Sequence, residues 1–437
     1  MIRQRRICTC LLVFLTVFAP ALVQADWPAF RGPLGTGMVP ASSDRASATL
    51  PLHWSETQNL KWKVPVPHSG FSTPVVMDGR VWLTTATLEG HDSFVLCVDA
   101  DTGEVLLNTR LFHADDPEPL GNKVNGYASP SPVVEAGRVY VSFGSYGTAC
   151  VDSKTFDVLW SHKDLPCRHY RGPGSSPILF KNLLILTMDG VDRQYVAALN
   201  KMTGKVVWKT DRTVDYKDLD VTGNPRREGD FRKAYATPLI VTVQGKTQMI
   251  SAGSKAVYGY DPLTGQELWT LPHDDYSSSA SPVFGDGLAY VLTGFGKAEL
   301  FAMPVHGKGS LLEETIVWRT RKGMPRTPSP LLIEGLLYTL ADNGTLTCLD
   351  AVTGKEVWGE RLKGKFAASL LYANGHIYCV DQEGKTTVLK AGRAFAVLAE
   401  NTLDAGCMAS PAASGNALFL RTDTHLYCIE SIVHSPE

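Results

Sequence analysis

One short pattern returns eight times along this chain and limits what it can fold into. It is Ser or Thr, then Pro, two apolar residues, a turn holding Gly, and an alternating apolar strand. Copies stand at Thr73-Pro74-Val75-Val76, Ser131-Pro132-Val133-Val134 and Ser176-Pro177-Ile178-Leu179. It returns at Thr237-Pro238, Ser281-Pro282, Ser329-Pro330 and Ser410-Pro411, and at Ser369-Leu370 without its proline. A second pattern alternates with the first: an apolar strand, Asp or Asn, Thr-Gly, then a strand ending in Trp. Its clearest copies run through 349–358, 260–269 and 199–208, with weaker ones at 98–106 and 151–160. Period-two alternation broken by Gly, Asp and Asn turns is the mark of short strands joined as hairpins. Each unit therefore holds four strands, and a four-stranded repeat of about 40 to 60 residues is one blade of a β-propeller.

The ends of the chain determine how the ring closes. The last unit stops at Leu426-Tyr427-Cys428-Ile429, its third strand, and no Trp-ended strand follows. Residues 59–64, Asn-Leu-Lys-Trp-Lys-Val, precede the first unit and have no blade of their own. That orphan is predicted to be the fourth strand of the last blade, hiding the open sheet edges. The fold expected is all-β: an eight-bladed propeller of four-stranded antiparallel blades over 59–431. An N-terminal extension over 26–58 and a short tail over 432–437 complete the predicted organisation.

The first 25 residues read as an address. Arg3, Arg5 and Arg6 precede an apolar stretch over 11–22, and Val23 and Ala25 offer a small-residue cleavage site. The stretch contains Pro20 and is short for a helix that must cross about 30 Å of hydrocarbon. Cleavage after Ala25 is expected, giving a periplasmic or secreted protein with no transmembrane segment in its mature form. Cys8 and Cys10 fall before the apolar stretch, so neither can become a lipid-carrying first residue. Seven cysteines remain, of which Cys97, Cys150, Cys348 and Cys428 share one position in the repeat and read as small core residues. With 42 Lys and Arg against 44 Asp and Glu, nothing draws the whole chain to nucleic acid. A monomer is expected.

The Asp-x-x-Thr-Gly-x-x-x-Trp copies resemble the repeat of the pyrroloquinoline-quinone (PQQ) family of propellers, over about residues 59–430. The segment Asp26-Trp27-Pro28-Ala29-Phe30-Arg31-Gly32-Pro33 looks like the start of exported PQQ-like proteins. The family includes eight-bladed quinoprotein alcohol dehydrogenases and the BamB scaffold of the β-barrel assembly machinery. The resemblance implies that Trp160, Trp208, Trp269, Trp318 and Trp358 dock neighbouring blades.

Loops leading into the Ser/Thr-Pro strands converge on one mouth of the central channel, so binding residues are sought there. The predicted ligand-binding set is Tyr127, Arg168, Arg171, Arg232, Tyr235, Tyr276, Arg326 and Lys365; the same loops carry His68, Phe71, Asn125, Tyr170, Lys233, Phe366, Cys407 and Met408. Cations can pair with carboxylates and aromatic rings can stack on a plane, so a flat anion such as PQQ is chemically compatible. Asp274 and Asp275 are the candidate acidic pair for calcium or for base duty, and His169 and His273 are further candidate bases. Two long insertions, over 111–126 and 211–233, border this mouth and could form a docking loop or a partial lid. A third, over 304–314, joins a third strand to a fourth and is expected on the opposite face.

The resemblance also sets what an enzyme would need. A quinoprotein dehydrogenase of that family has a lid disulfide of adjacent cysteines, and no Cys-Cys occurs here; no Cys-x-x-Cys-His haem signature occurs either. No G-x-S-x-G, phosphate-binding loop or dinucleotide fingerprint is found. The principal expectation is an exported, non-enzymatic module that binds an envelope protein or a glycan through its mouth loops. The alternative is a PQQ- and calcium-dependent oxidoreductase acting on a small alcohol or sugar.

Overall fold

A computed structural model describes residues 26–40, 49–121 and 124–431. The expected signal segment and the C-terminal tail lie outside these residues. Eight antiparallel sheets follow one another around a ring. The first blade is built of Val75–Met77, Arg80–Ala86, Asp92–Asp99 and Val105–His113, and the same order is kept in every later blade. In the first two blades the inner three strands are mostly buried, while the fourth is mostly exposed or half-buried. Fourth strands therefore tolerate charge, as in Glu356–Arg361, whereas a charge buried on an inner strand, such as Asp189 or Arg421, is held by hydrogen bonds to the next blade or strand.

Ring closure follows the sequence expectation. Leu60–Pro65 pairs antiparallel with His425–Ile429, Trp62 lying opposite Cys428 and Val64 opposite Leu426. The eighth sheet thus has the order Leu60–Pro65, His425–Ile429, Ala417–Arg421, Ala412–Ser414. At this seam the buried Arg421 reaches from blade 8 into blade 1. Its Nη1 donates to the Ser72 hydroxyl at 2.6 Å and to the Thr84 carbonyl at 2.9 Å.

The second repeat pattern has a clear physical basis. Asp350 accepts hydrogen bonds from the Thr353 amide (3.0 Å) and hydroxyl (2.8 Å), which closes the turn. Gly354 follows at φ +69, and a Cβ there would lie 2.4 Å from the Trp318 indole of the preceding blade. Glycine is thus required twice, by the left-handed backbone and by the ring lying on it. Trp318 Nε1 also donates to the Ala351 carbonyl at 3.0 Å. Trp160 and Trp358 donate likewise to the Lys201 and Gly392 carbonyls, and Trp208 lies on Gly265. Trp62 of the closing strand does the same, through Ala100 and Gly103, so the N-terminal strand carries a blade tryptophan of its own.

Trp269 is placed differently, because the next blade has an insertion where the Thr-Gly turn would be. Its indole folds over Gly259 of its own blade and donates to Gln248 Oε1 at 2.8 Å, and Gln248 Nε2 reaches the Val305 carbonyl. The insertion supplies Gly309–Ser310, a short strand parallel to Glu267–Pro272 that gives this blade a fifth strand. All seven described cysteines are buried free thiols.

Candidate functional site

The Ser and Thr residues of the first pattern line the channel and join blade to blade. The Thr73 amide donates to the Ser131 hydroxyl, Ser131 to Ser176, and Ser176 to Thr237, each at 2.9 Å. The chain of bonds resumes from Ser281 to Ser329, Ser369 and Ser410 at 2.9 to 3.0 Å. A hydroxyl is needed at each step because its oxygen accepts the neighbour's amide; alanine would leave that donor unpaired in the core. Ser369 keeps this role without a following proline, so the hydroxyl is the constant part of the motif. All of these residues except Ser281 line a cavity of about 350 Å³ at the channel mouth.

The floor of the cavity comes from the N-terminal extension. Trp27 pairs with Val76 of blade 1, the Pro28 carbonyl accepts from Val134 of blade 2, and Val39 donates to Tyr372 of blade 7. The segment thus crosses the axis, and Phe30 enters the cavity lining. Arg31 pins the crossing: it is 2% exposed and donates to the Gly35, Thr36 and Pro330 carbonyls. Burial with no acid beside it pushes its guanidinium down to about 9. The channel is therefore blind, with one open mouth.

Its walls bring together only part of the predicted set. Arg171, Tyr235 and Tyr276 line the cavity, together with Phe71, Asn125 and Met408. Tyr127 does not: it is buried over Gly90, its hydroxyl donating to the Glu118 carbonyl. Arg168 is held by Glu118 at 2.7 Å and Arg232 by Asp218 at 2.8 Å, both outside the cavity lining. Arg326 is exposed at the rim over the Phe295 ring, and Lys365 is exposed outside the lining. The insertions over 111–126 and 211–233 supply Val124, Asn125, Arg227 and Asp230 to the wall. Phe30, Arg227 and Phe295 were not among the predicted residues, since none lies next to a Ser/Thr-Pro motif.

Of the candidate acids and bases, Asp275 and His169 are engaged in hydrogen bonds within the fold, while His273 accepts the Asp275 amide at Nδ1 and leaves its buried Nε2 without a partner. Asp275 accepts from the Tyr276 and Gly296 amides and from the Thr293 hydroxyl, so its carboxylate is used to shape its own loop. Asp274 accepts Lys255 Nζ at its backbone carbonyl. His169 is buried, accepts the Ser145 amide at Nε2 and lies 3.1 Å from the Cys167 sulfur; desolvation holds it well below its ordinary value. His273 is pushed down to about 4, again mainly by desolvation.

Comparison with known proteins places this arrangement. The family described as "Outer membrane protein assembly factor BamB" matches residues 55–253 and 310–394, well over half of the chain. The chain belongs to this family. A curated BamB from Yersinia pestis is 21% identical over 244 residues, which is 45% of this chain and 59% of that relative, so the match spans less than two thirds of the relative's length. The crystal structure of BamB from Moraxella catarrhalis superposes with a TM-score of 0.58 at 10% identity, covering 84% of this chain and 99% of that one. A quinohemoprotein alcohol dehydrogenase from Comamonas testosteroni superposes with a TM-score of 0.63 at 14% identity, covering 94% and 82%. At such identities the two structures share the fold with this BamB-family chain, and the fold alone does not choose between binding and catalysis.

The cavity itself fits PQQ poorly. A planar tricarboxylate needs cations with donors to spare. Arg171 is committed to Asp230 through two hydrogen bonds of 2.8 and 3.1 Å, and that carboxylate also lines the wall. Among the described residues, no group of three His, Cys, Asp or Glu could hold a metal ion. Arg227 also lines the wall, over the Phe231 ring and with no salt bridge among the described residues, so what remains is a pocket mainly of hydroxyls and aromatic rings with one cation in excess, against the three carboxylates of PQQ.

Proposed function

We propose that this chain is an exported binding module that seats a segment of an envelope protein in its channel mouth. The observation that carries this reading is the blind cavity, walled by a hydroxyl ring and by Phe71, Tyr235 and Tyr276 and floored by the chain's own Phe30. Its volume falls in the range of pockets that enclose a small ligand or an anchoring side chain, about 300 to 1,000 Å³. Hydroxyls donate to and accept from uncharged polar groups, and flat rings supply contact area at little entropic cost. A polar loop is thus the preferred guest, and a glycan end is the competing one. Membership of the BamB family supports the protein partner and a place in the periplasm. Among the described residues no helix is long and apolar enough to cross a membrane.

The test is crosslinking of the mature chain, from Asp26, in an envelope extract, beside a Tyr276→Ala/Phe295→Ala variant and a rear-face Leu312→Ala control. Loss of two central aromatic contacts is expected to cut capture at least about 10-fold, as hot-spot truncations do, with the control unchanged. Equal capture by all three would rule out the mouth. In parallel, calorimetric titration with PQQ, with and without calcium, is expected to give no saturable heat. Calcium-dependent binding would instead establish the oxidoreductase reading.

A further inference from the structure

Within the insertion over 211–233, three successive residues take left-handed backbone: Arg227 at φ +49, Glu228 at φ +56 and Gly229 at φ +84. Only glycine takes this conformation without strain, and two of the three are not glycine. Such strain persists where the surroundings fix it, and it gathers at functional sites. Here the chain just after Arg227 is tightly fixed. A Cβ at Gly229 would lie 2.1 Å from the Val191 carbonyl oxygen, so the backbone is pressed onto blade 3. Asp230 holds Arg171, the Phe231 carbonyl accepts the Ser254 hydroxyl, and Arg232 bonds Asp218 twice.

Arg227 itself is spent on none of these anchors. Its guanidinium lies over the Phe231 ring, 5.0 Å from the centroid, forms no salt bridge among the described residues and lines the cavity. Phe231 in turn meets Tyr276 edge to face at 4.8 Å, and Tyr276 lines the same wall. The adjacent Glu228 is exposed and outside the lining, and both Asp230 oxygens are taken by Arg171. The wall therefore holds one stacked, unpaired cation beside aromatic rings.

We infer that Arg227 selects the guest: it pairs with one carboxylate of the bound peptide segment, a Glu or Asp side chain, while Tyr276 and Phe295 cover the apolar atoms beside it. This rests on the reading of the mouth as a peptide-binding site and adds its charge preference. A stacked guanidinium is pre-organised, and its edge still presents two parallel N–H donors to a carboxylate. One free cation in the wall matches one carboxylate. A basic segment is repelled, and an uncharged one leaves the guanidinium without a partner as the guest excludes water from it.

Calorimetric titration of the mature chain with two blocked peptides, acetyl-Ser-Phe-Glu-Ser-amide and its Gln counterpart, tests this. The parent is expected to bind the Glu peptide about 5-fold or more tighter, the factor that a partly exposed ion pair supplies. Raising salt from about 50 to about 500 mM should shrink that preference by screening. Arg227→Gln should bind both peptides alike, whereas Lys365→Gln, which removes an exposed cation outside the lining, should keep the preference. Arg227→Gly should lose the preference and melt no lower than the parent, because glycine relieves the left-handed backbone.

Equal affinity of the parent for the two peptides, or a preference that survives Arg227→Gln, would overturn the carboxylate assignment. If Tyr276→Ala/Phe295→Ala then still abolishes binding of both peptides, the mouth stands without it. Binding of neither peptide would also overturn it, with the envelope crosslinking deciding separately whether the mouth is used. Tighter binding of glucuronic acid than of the Glu peptide would overturn it in favour of an acidic glycan.

Discussion

A chain begun at Val66 is expected to lose cooperative folding, whereas one begun at Ser55 keeps it. The two differ by the closing strand and the turn before it. Without Leu60–Pro65 the strand His425–Ile429 becomes an open edge, losing a ladder of five residue pairs. Trp62 is lost with it, and so are its bond to Ala100 and its packing on Gly103. Lys61, which bridges Glu430 of blade 8 and Asp101 beside blade 1, goes as well. Removal of a packed tryptophan costs about 3–5 kcal/mol and each ladder bond about 1 kcal/mol, which together approach the typical margin of about 5–15 kcal/mol. Both chains lack Trp27, Leu50 and Trp54, so any loss from the extension is common to the pair. Melting followed by circular dichroism should show a sharp transition for the Ser55 chain and a broad or absent one for the Val66 chain. Equal transitions would mean that the ring holds without its N-terminal clasp.

The features legible in the sequence are those that the repeat imposes on every blade. Ser and Thr recur before proline because at six of the eight positions the hydroxyl accepts the amide of the blade before it, and Thr-Gly recurs because an indole lies on the glycine. A local rule repeated from blade to blade leaves a period, and the period can be read. The site depends on pairings that have none. Arg171 meets Asp230 across 59 residues and Arg168 meets Glu118 across 50, so a ring of cations in the sequence becomes largely neutral in space. The floor was illegible for the same reason: Phe30 belongs to a segment outside the repeat, and only the fold brings it under the axis. Trp269 shows the converse case, in which an insertion in the next blade removes the turn that its indole would have covered.

Asp189→Ala is expected to lower stability by about 3–5 kcal/mol, the usual cost of breaking a buried ion pair from one side. Asp189 and Arg212 have side chains only 1% exposed, with Oδ2 to Nη2 at 2.9 Å. Arg212 also donates to Ser251 and Tyr260 of blade 4 and lies over the Tyr258 ring, so the pair joins blades 3 and 4. The guanidinium is held well above its ordinary value, chiefly by Asp189 against desolvation, and stays charged at any working pH. Removing the carboxylate therefore leaves a buried cation that cannot neutralise itself. Urea midpoints should show the loss, and Asp189→Leu/Arg212→Met should recover most of it, because an apolar pair has no charge to desolvate. A single variant as stable as the parent would mean that Arg212 is satisfied by Ser251, Tyr260 and the tyrosine ring alone.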